Sequence, residues 1–173
     1  MDILNRINTK TARLGVIGLG YVGLPLAVEF ARAGFEVVGY DIDQARVDDL
    51  NAGTSYIPDV SSADLNDVVQ SGKFRASTQP DALIDVDIID ICVPTPLRKT
   101  RDPDLSYIVR AVTSTATVLR KGQLVILEST TYPGTTDEVV QPLLEEGGLV
   151  AGTDFYLAFS PERVDPGNPT YHT

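Results

Sequence analysis

Residues that bind soft metals or form nucleophile and base pairs are almost missing from this chain. Cys92 is the only cysteine, so an intramolecular disulfide is impossible and a cysteine-based zinc cluster is excluded. His172 is the only histidine and lies in the tail, which leaves no material for a catalytic triad or a His-rich metal site. Positive charge is also scarce: 14 Lys and Arg stand against 24 Asp and Glu, a net charge of −10. That balance argues against an electrostatic hold on nucleic acid or an anionic membrane surface. An anionic ligand must then be held locally, by backbone N–H groups or a few placed Arg and Lys. No stretch reaches the roughly 20 apolar residues of a membrane span, and the start MDILNRINTKTARLG has no apolar signal core. These absences predict a cytoplasmic protein without metal. Repeats and low-complexity tracts are missing too.

What the chain does have is enough apolar material for a core, 43% of 173 residues, and one domain is the default. After a polar leader (1–12), RLGVIGLG (13–20) is a short apolar run entering glycines, which suits a strand buried on both faces. YVGLPLAVEFARAG (21–34) then spaces Val22, Leu26 and Phe30 as a helical stripe and ends on Gly34. FEVVGYD (35–41) reads as a strand and QARVDDLNAG (44–53) as a helix. DVSSADLNDVVQSG (59–72) follows as a helix with Ser61 and Asp64 at capping-box spacing, then KFRAST as a strand. DVDIIDICVP (85–94) is a β-rich run stopped by prolines, and 104–122 reads as a long helix ending at Gly122. QLVILEST (123–130) reads as a strand, 135–148 as a helix opened by Thr135 and Glu138 in capping-box register, and DFYLAFS (154–160) as a last strand. Alternation of strand and helix predicts an α/β fold with a doubly wound, mostly parallel sheet.

Within this frame GLGYVG (18–23) follows a buried strand and opens a helix, the context that a dinucleotide-binding GxGxxG requires. Gly18 permits the tight turn, Gly20 lets a diphosphate approach the backbone, and Gly23 lets the helix pack on the sheet. The unpaired N–H groups and dipole of the helix start bind the anion. Pro25 falls among the first helix residues, whose N–H groups have no intrahelical partner, and costs little there. Asp41, at the end of the next strand, is placed to accept the adenosine ribose hydroxyls and to repel a 2′-phosphate, which favours NAD over NADP. Asp43 is a competing candidate, and a solvated strand-end carboxylate is the bland alternative. Cys92, inside an apolar strand, reads as a small buried hydrophobe.

Three further segments fall where such a sheet presents its strand ends: CVPTPLRKTRDPDLS (92–106), ESTTYPGTT (128–136) and SPERVDPGN (160–168). Together with GLGYVGLP they resemble the nucleotide-sugar 6-dehydrogenases, the UDP-glucose and GDP-mannose dehydrogenase family. CVPTPL and ESTTYPGTT look most like the branch that oxidises UDP-N-acetylhexosamines, UDP-N-acetylglucosamine in particular. The resemblance implies a Rossmann-type NAD-binding domain over 13–173 and a four-electron oxidation of the sugar C6 alcohol to a carboxylate with two NAD+. It makes Thr130 of EST the hydroxyl that helps hold a catalytic water, and Glu162 of SPE the acid/base carboxylate. Tyr21, Val22, Arg46, Thr95 and Thr130 match family contacts to NAD. Blander roles also fit: Thr130 as a hydroxyl bonding backbone, Glu162 as a solvated loop carboxylate.

The family's catalytic cysteine, its lysine and asparagine partners, the central helix that pairs subunits and the sugar-binding domain match nothing in this sequence. Cys92 precedes VPTP and corresponds to no family nucleophile. The expectation is a chain that is part of something longer, binds NAD and does not turn over, with a UDP-sugar as the parent's substrate and a homodimer or higher homo-oligomer as the parent's assembly. Two other readings remain open at this point: a NAD-binding regulatory module, and the first domain of another two-domain dehydrogenase.

Overall fold

The structure, a computed structural model, describes residues 2–99 and 103–161. The first strand, β1 (Arg13–Ile17), is buried from Leu14 onward and pairs in parallel with β2 (Glu36–Tyr40) on one side and β4 (Ile88–Ile91) on the other. With β3 (Phe74–Ser77), β5 (Leu124–Leu127) and β6 (Tyr156–Phe159) the sheet runs β3-β2-β1-β4-β5-β6, every pairing parallel. Side chains alternate across it. Leu14 and Val16 join one core, under α2 (Gly23–Arg32), α3 (Gln44–Asn51) and α4 (Ser62–Gln70). Ile17 joins the other, under α5 (Ser106–Ala116) and α6 (Gln141–Glu145). The chain builds outward from β1 to β3, then returns to lay β4 beside β1 and builds the other way. Between the C-terminal ends of β1 and β4 the connecting loops diverge, and an open crevice is left there.

Each expected strand and helix of the domain has a counterpart, with differences that have physical causes. On α2 the buried face is Leu24, Ala27, Val28 and Ala31, while the expected stripe of Val22, Leu26 and Phe30 runs along its half-buried margin. A helix laid on a sheet buries a wide face, and the small residues let it sit close. Half of the capping box at Ser61 forms: its Oγ accepts from the Asp64 amide at 3.0 Å, while the Asp64 carboxylate accepts from the Ser61 hydroxyl at 2.6 Å rather than from its backbone N–H. The one at Thr135 does not. Thr135 Oγ1 turns to Thr131 and the Tyr132 carbonyl instead, and Thr136–Val140 winds as a wide π-helical turn before α6. Pro142, with no N–H, removes the donor that an α-helix would offer to the Glu138 carbonyl. α5 stops at Ala116, short of Gly122, in a run of threonines whose hydroxyls bond back to the preceding turn.

Part of the polar leader is helical. Asp2 caps α1 (Ile3–Asn8), whose Ile3 and Ile7 lie against the first core. Its Arg6 pairs with Asp87, a carboxylate only 3% exposed that also receives the Arg13 amide at 2.8 Å and Arg120 at 3.2 Å. This cluster joins α1, the N-terminal end of β1 and the loop before β5, at the edge of the sheet opposite the crevice.

Candidate functional site

The turn that leaves β1 is shaped by what it must avoid. Gly18 has φ +88°, and a Cβ there would lie 2.7 Å from the Cys92 carbonyl oxygen of the neighbouring strand. A Cβ on Gly23 would lie 1.9 Å from the Gly18 carbonyl oxygen, so α2 starts this close only because Gly23 has none. Gly20 differs: a Cβ there would meet nothing within 4 Å. It faces open space rather than a packed neighbour. α2 has no side-chain cap, and among the described residues the amides of Gly20, Tyr21 and Val22 find no acceptor. An uncapped helix start opening on a cleft leaves donors and a positive dipole end for an anion. Pro25 sits third in α2, where its missing N–H costs nothing.

Opposite the turn stands Asp41, 7% exposed at the end of β2. Its Oδ2 accepts from the Leu19 amide at 3.0 Å and its Oδ1 from the Asp43 amide at 3.0 Å. Asp43 is otherwise engaged, capping α3 by accepting from the Ala45 and Arg46 amides. The two candidates therefore separate: Asp41 faces the cleft and Asp43 starts a helix. Arg46 lies 3.9 Å from Asp41 Oδ2, 3.5 Å from Asp43 and 5.4 Å above the Tyr56 ring. Tyr56 itself donates to the Leu19 carbonyl at 2.7 Å. Burial first, and the Asp41 charge second, push its hydroxyl up to about 12, so it stays a donor at neutral pH.

The cleft has a volume of about 520 Å³, and Gly18, Gly20, Tyr21, Val22, Asp41, Arg46, Thr95 and Thr130 all line it. Gly23 lies beneath, under the turn. Thr95 Oγ1 donates to the Thr130 carbonyl at 2.5 Å, tying the loop after β4 to the loop after β5. The Thr130 side chain is exposed to the cleft. Glu162 lies outside the described residues. Cys92 is buried as expected, but it also forms part of the cleft floor, with its Sγ 3.8 Å from Asp90 Oδ1. Asp90, Cys92 and Glu128 bring one ligand-type atom each within 4.8 Å of one another.

A smaller hollow of about 170 Å³ continues the crevice past Asp41 and Arg46, lined by Ile42, Pro94, Tyr107 and Arg110 among others. Neither this hollow nor Tyr56 was singled out from sequence, whereas Glu128 and Ser129 belong to the EST segment already read as a strand end. Tyr56 sits in a loop whose neighbours carry no periodic signal. Ile42 did carry a hint, as a large apolar residue in a polar turn; it is 74% exposed.

Compared with known proteins, residues 12–173 match the UDP-glucose/GDP-mannose dehydrogenase family, NAD binding domain. The chain belongs to this family. It is 44% identical over 157 residues to UDP-N-acetyl-D-mannosamine dehydrogenase of Pyrococcus horikoshii, covering 90% of this chain and 37% of that protein. It is 42% identical over 160 residues to UDP-N-acetyl-D-glucosamine 6-dehydrogenase of Pseudomonas aeruginosa, covering 92% and 37%. Among solved structures, a ternary complex of GDP-mannose dehydrogenase from Pseudomonas aeruginosa superposes with a TM-score of 0.85 at 35% identity, over 89% of this chain and 37% of that one. The chain thus spans little more than a third of the length of these relatives. A 3-hydroxyisobutyrate dehydrogenase of Mycobacterium tuberculosis, at 18% identity and a TM-score of 0.57, shares the fold alone. The fold is the Rossmann-type NAD-binding fold, and NAD is the cofactor of this domain. The open space at Gly20 and the free amides beside it fit the group. No helix of the described residues is long and apolar enough to cross a membrane.

Proposed function

We propose that this chain is the cofactor-holding part of a UDP-N-acetylhexosamine 6-dehydrogenase, with the gluco epimer as the parent's substrate. The amides of Gly20, Tyr21 and Val22 hold the diphosphate, and Asp41 takes the adenosine ribose. Arg46 flanks the adenosine, and the hollow between Ile42, Pro94, Tyr107 and Arg110 takes the flat adenine. Thr95 and Thr130, joined through their loops, face the nicotinamide end. When bound, NAD+ accepts hydride from the sugar C6 carbon. In the longer protein the balance is one alcohol, two NAD+ and one water giving one carboxylate, two NADH and three protons. Thr130 positions the water and Glu162 moves its proton. A homodimer or higher homo-oligomer is proposed for the parent.

One observation carries this reading: an uncapped helix start and a buried, amide-anchored carboxylate face each other across one cleft at the sheet's switch point. A regulatory module would need the same cleft, but it would not need the exposed Thr130 of EST beside it. The chain also supplies no thiol on which a sugar aldehyde is captured, since Cys92 is buried in the floor. Incubated with NAD+ and UDP-N-acetylglucosamine, it is expected to form no NADH. Sustained NADH formation contradicts the assignment of the nucleophile to another part of the parent.

A further inference from the structure

Leu19 is the residue between the first two glycines, and the protein grips it at three points. Its side chain is fully buried against Gly39, where a Cβ would lie 2.7 Å from Leu19 Cδ1. Its N–H donates to Asp41, and its C=O accepts from Tyr56, a residue 37 positions away. Such attention to one backbone unit has a directional consequence. Every peptide bond described is trans, so the N–H and C=O of each plane point in opposite directions. With the Leu19 N–H on Asp41, the Gly18 carbonyl turns the other way, under the helix start, where it meets the missing Cβ of Gly23. With the Leu19 carbonyl on Tyr56, the Gly20 N–H of the same plane is turned away from Tyr56 and has no acceptor among the described residues.

We infer that Tyr56 is a positioning residue for the cofactor: its hydroxyl holds the Leu19–Gly20 peptide in the orientation that presents the Gly20 N–H to the diphosphate. This rests on the reading of Gly20 as part of the diphosphate site. A glycine turn is free to rotate its peptide planes, and Gly20 in particular meets nothing that would stop it. Tyr56 supplies the restraint from outside the turn. Arg46 over its ring and the Asp41 charge nearby join the clamp to the carboxylate that faces the adenosine ribose. The hydroxyl, like any tyrosine's, is protonated across the neutral range, and the clamp is a property of geometry rather than of titration.

The test is Tyr56→Phe in this chain, which keeps the ring beneath Arg46 and deletes only the donor, with Tyr156→Phe on the edge strand β6 as control. Two readouts separate positioning from plain stability. In the ligand-free protein the Leu19 carbonyl carbon and Gly20 amide nitrogen resonances are expected to move in Tyr56→Phe, with core resonances such as those of Ile89 unchanged. Affinity for NAD+ is expected to fall about threefold to tenfold, the usual effect of one hydrogen bond. Affinity for adenosine, which has no phosphate, is expected to stay the same. Unmoved Leu19 and Gly20 resonances overturn the inference, as does full retention of NAD+ affinity. So does an equal loss for NAD+ and adenosine, which would place the effect on Asp41 and Arg46 instead. A wild-type chain that binds no NAD+ contradicts the reading of the cleft itself, and the resonances then still decide whether Tyr56 holds the peptide.

Discussion

Three glycines of one turn occupy three different environments, and substitution separates them. Gly23→Ala places a methyl where the Gly18 carbonyl oxygen already is, so α2 must retreat from the sheet. The expected cost is about 1–3 kcal/mol of stability, in the range of an overpacked core. Gly20→Ala places its methyl in open space, and the melting temperature is expected to change little. Its NAD+ affinity, however, is expected to fall by on the order of tenfold or more, because the methyl occupies the approach to the free amides. Thermal melts and NAD+ titrations of the two variants check this. A Gly20→Ala protein that binds NAD+ normally would remove Gly20 from the site. The steric roles of Gly18 and Gly23 were legible in the sequence because a tight turn and a close helix leave few alternatives. Tyr56 was not: it acts from a connecting loop, and no local pattern marks a side chain that bonds a carbonyl 37 residues earlier.

Elements were legible where one force dominates. Strands β1, β2 and β4 are buried on both faces and read as near-continuous apolar runs, and Ser61 announces α4 as its N-cap. The Thr135 box failed because Thr135 is itself helical in backbone, with φ −54° and ψ −39°, and the Glu138 amide it would cap donates to the Gly134 carbonyl at 2.8 Å. α1 carried no signal because what holds it is remote. Asp87, buried among Arg6, Arg120 and the Arg13 amide, is that anchor. Asp87→Ala strands these donors together, and a loss of roughly 3 kcal/mol is expected in denaturant unfolding, by analogy with breaking a buried ion pair. An unchanged midpoint would show the cluster to be ornamental. At the start of α5 a different carboxylate governs. Asp104 accepts from the Ser106 amide at 3.0 Å and from Arg98 at 3.0 Å, and these bonds lower its pKa from 3.8 to about 2. Its support of the helix start is therefore present above the ordinary carboxylate value and lost as pH falls through about 2. The Ser106 amide resonance is expected to titrate with that low midpoint; a midpoint near 3.8 would contradict the bond.

At the scale of the whole molecule, alternation of strand and helix was enough to foresee a doubly wound sheet, since parallel strands need crossovers and crossovers cover both faces. The strand order then sets the function. Reversal at β1 and β4 opens the crevice, and the residues that end those strands and their neighbours β2 and β5 are the ones that meet in it. Sequence motifs named most of these residues because each follows a strand into a loop. The smaller hollow beside Asp41 carried no motif of its own because it is assembled from α5 and two separate loops. The central claim is that one cleft, bounded by free amides on one side and the Asp41 carboxylate on the other, selects NAD. Calorimetric titration of this chain with NAD+ and, in parallel, with NADP+ tests it most directly. NAD+ is expected to bind clearly more tightly, because Asp41 accepts ribose hydroxyls and repels a 2′-phosphate. A demonstrably folded chain that binds neither, or that binds NADP+ as tightly, would contradict the account.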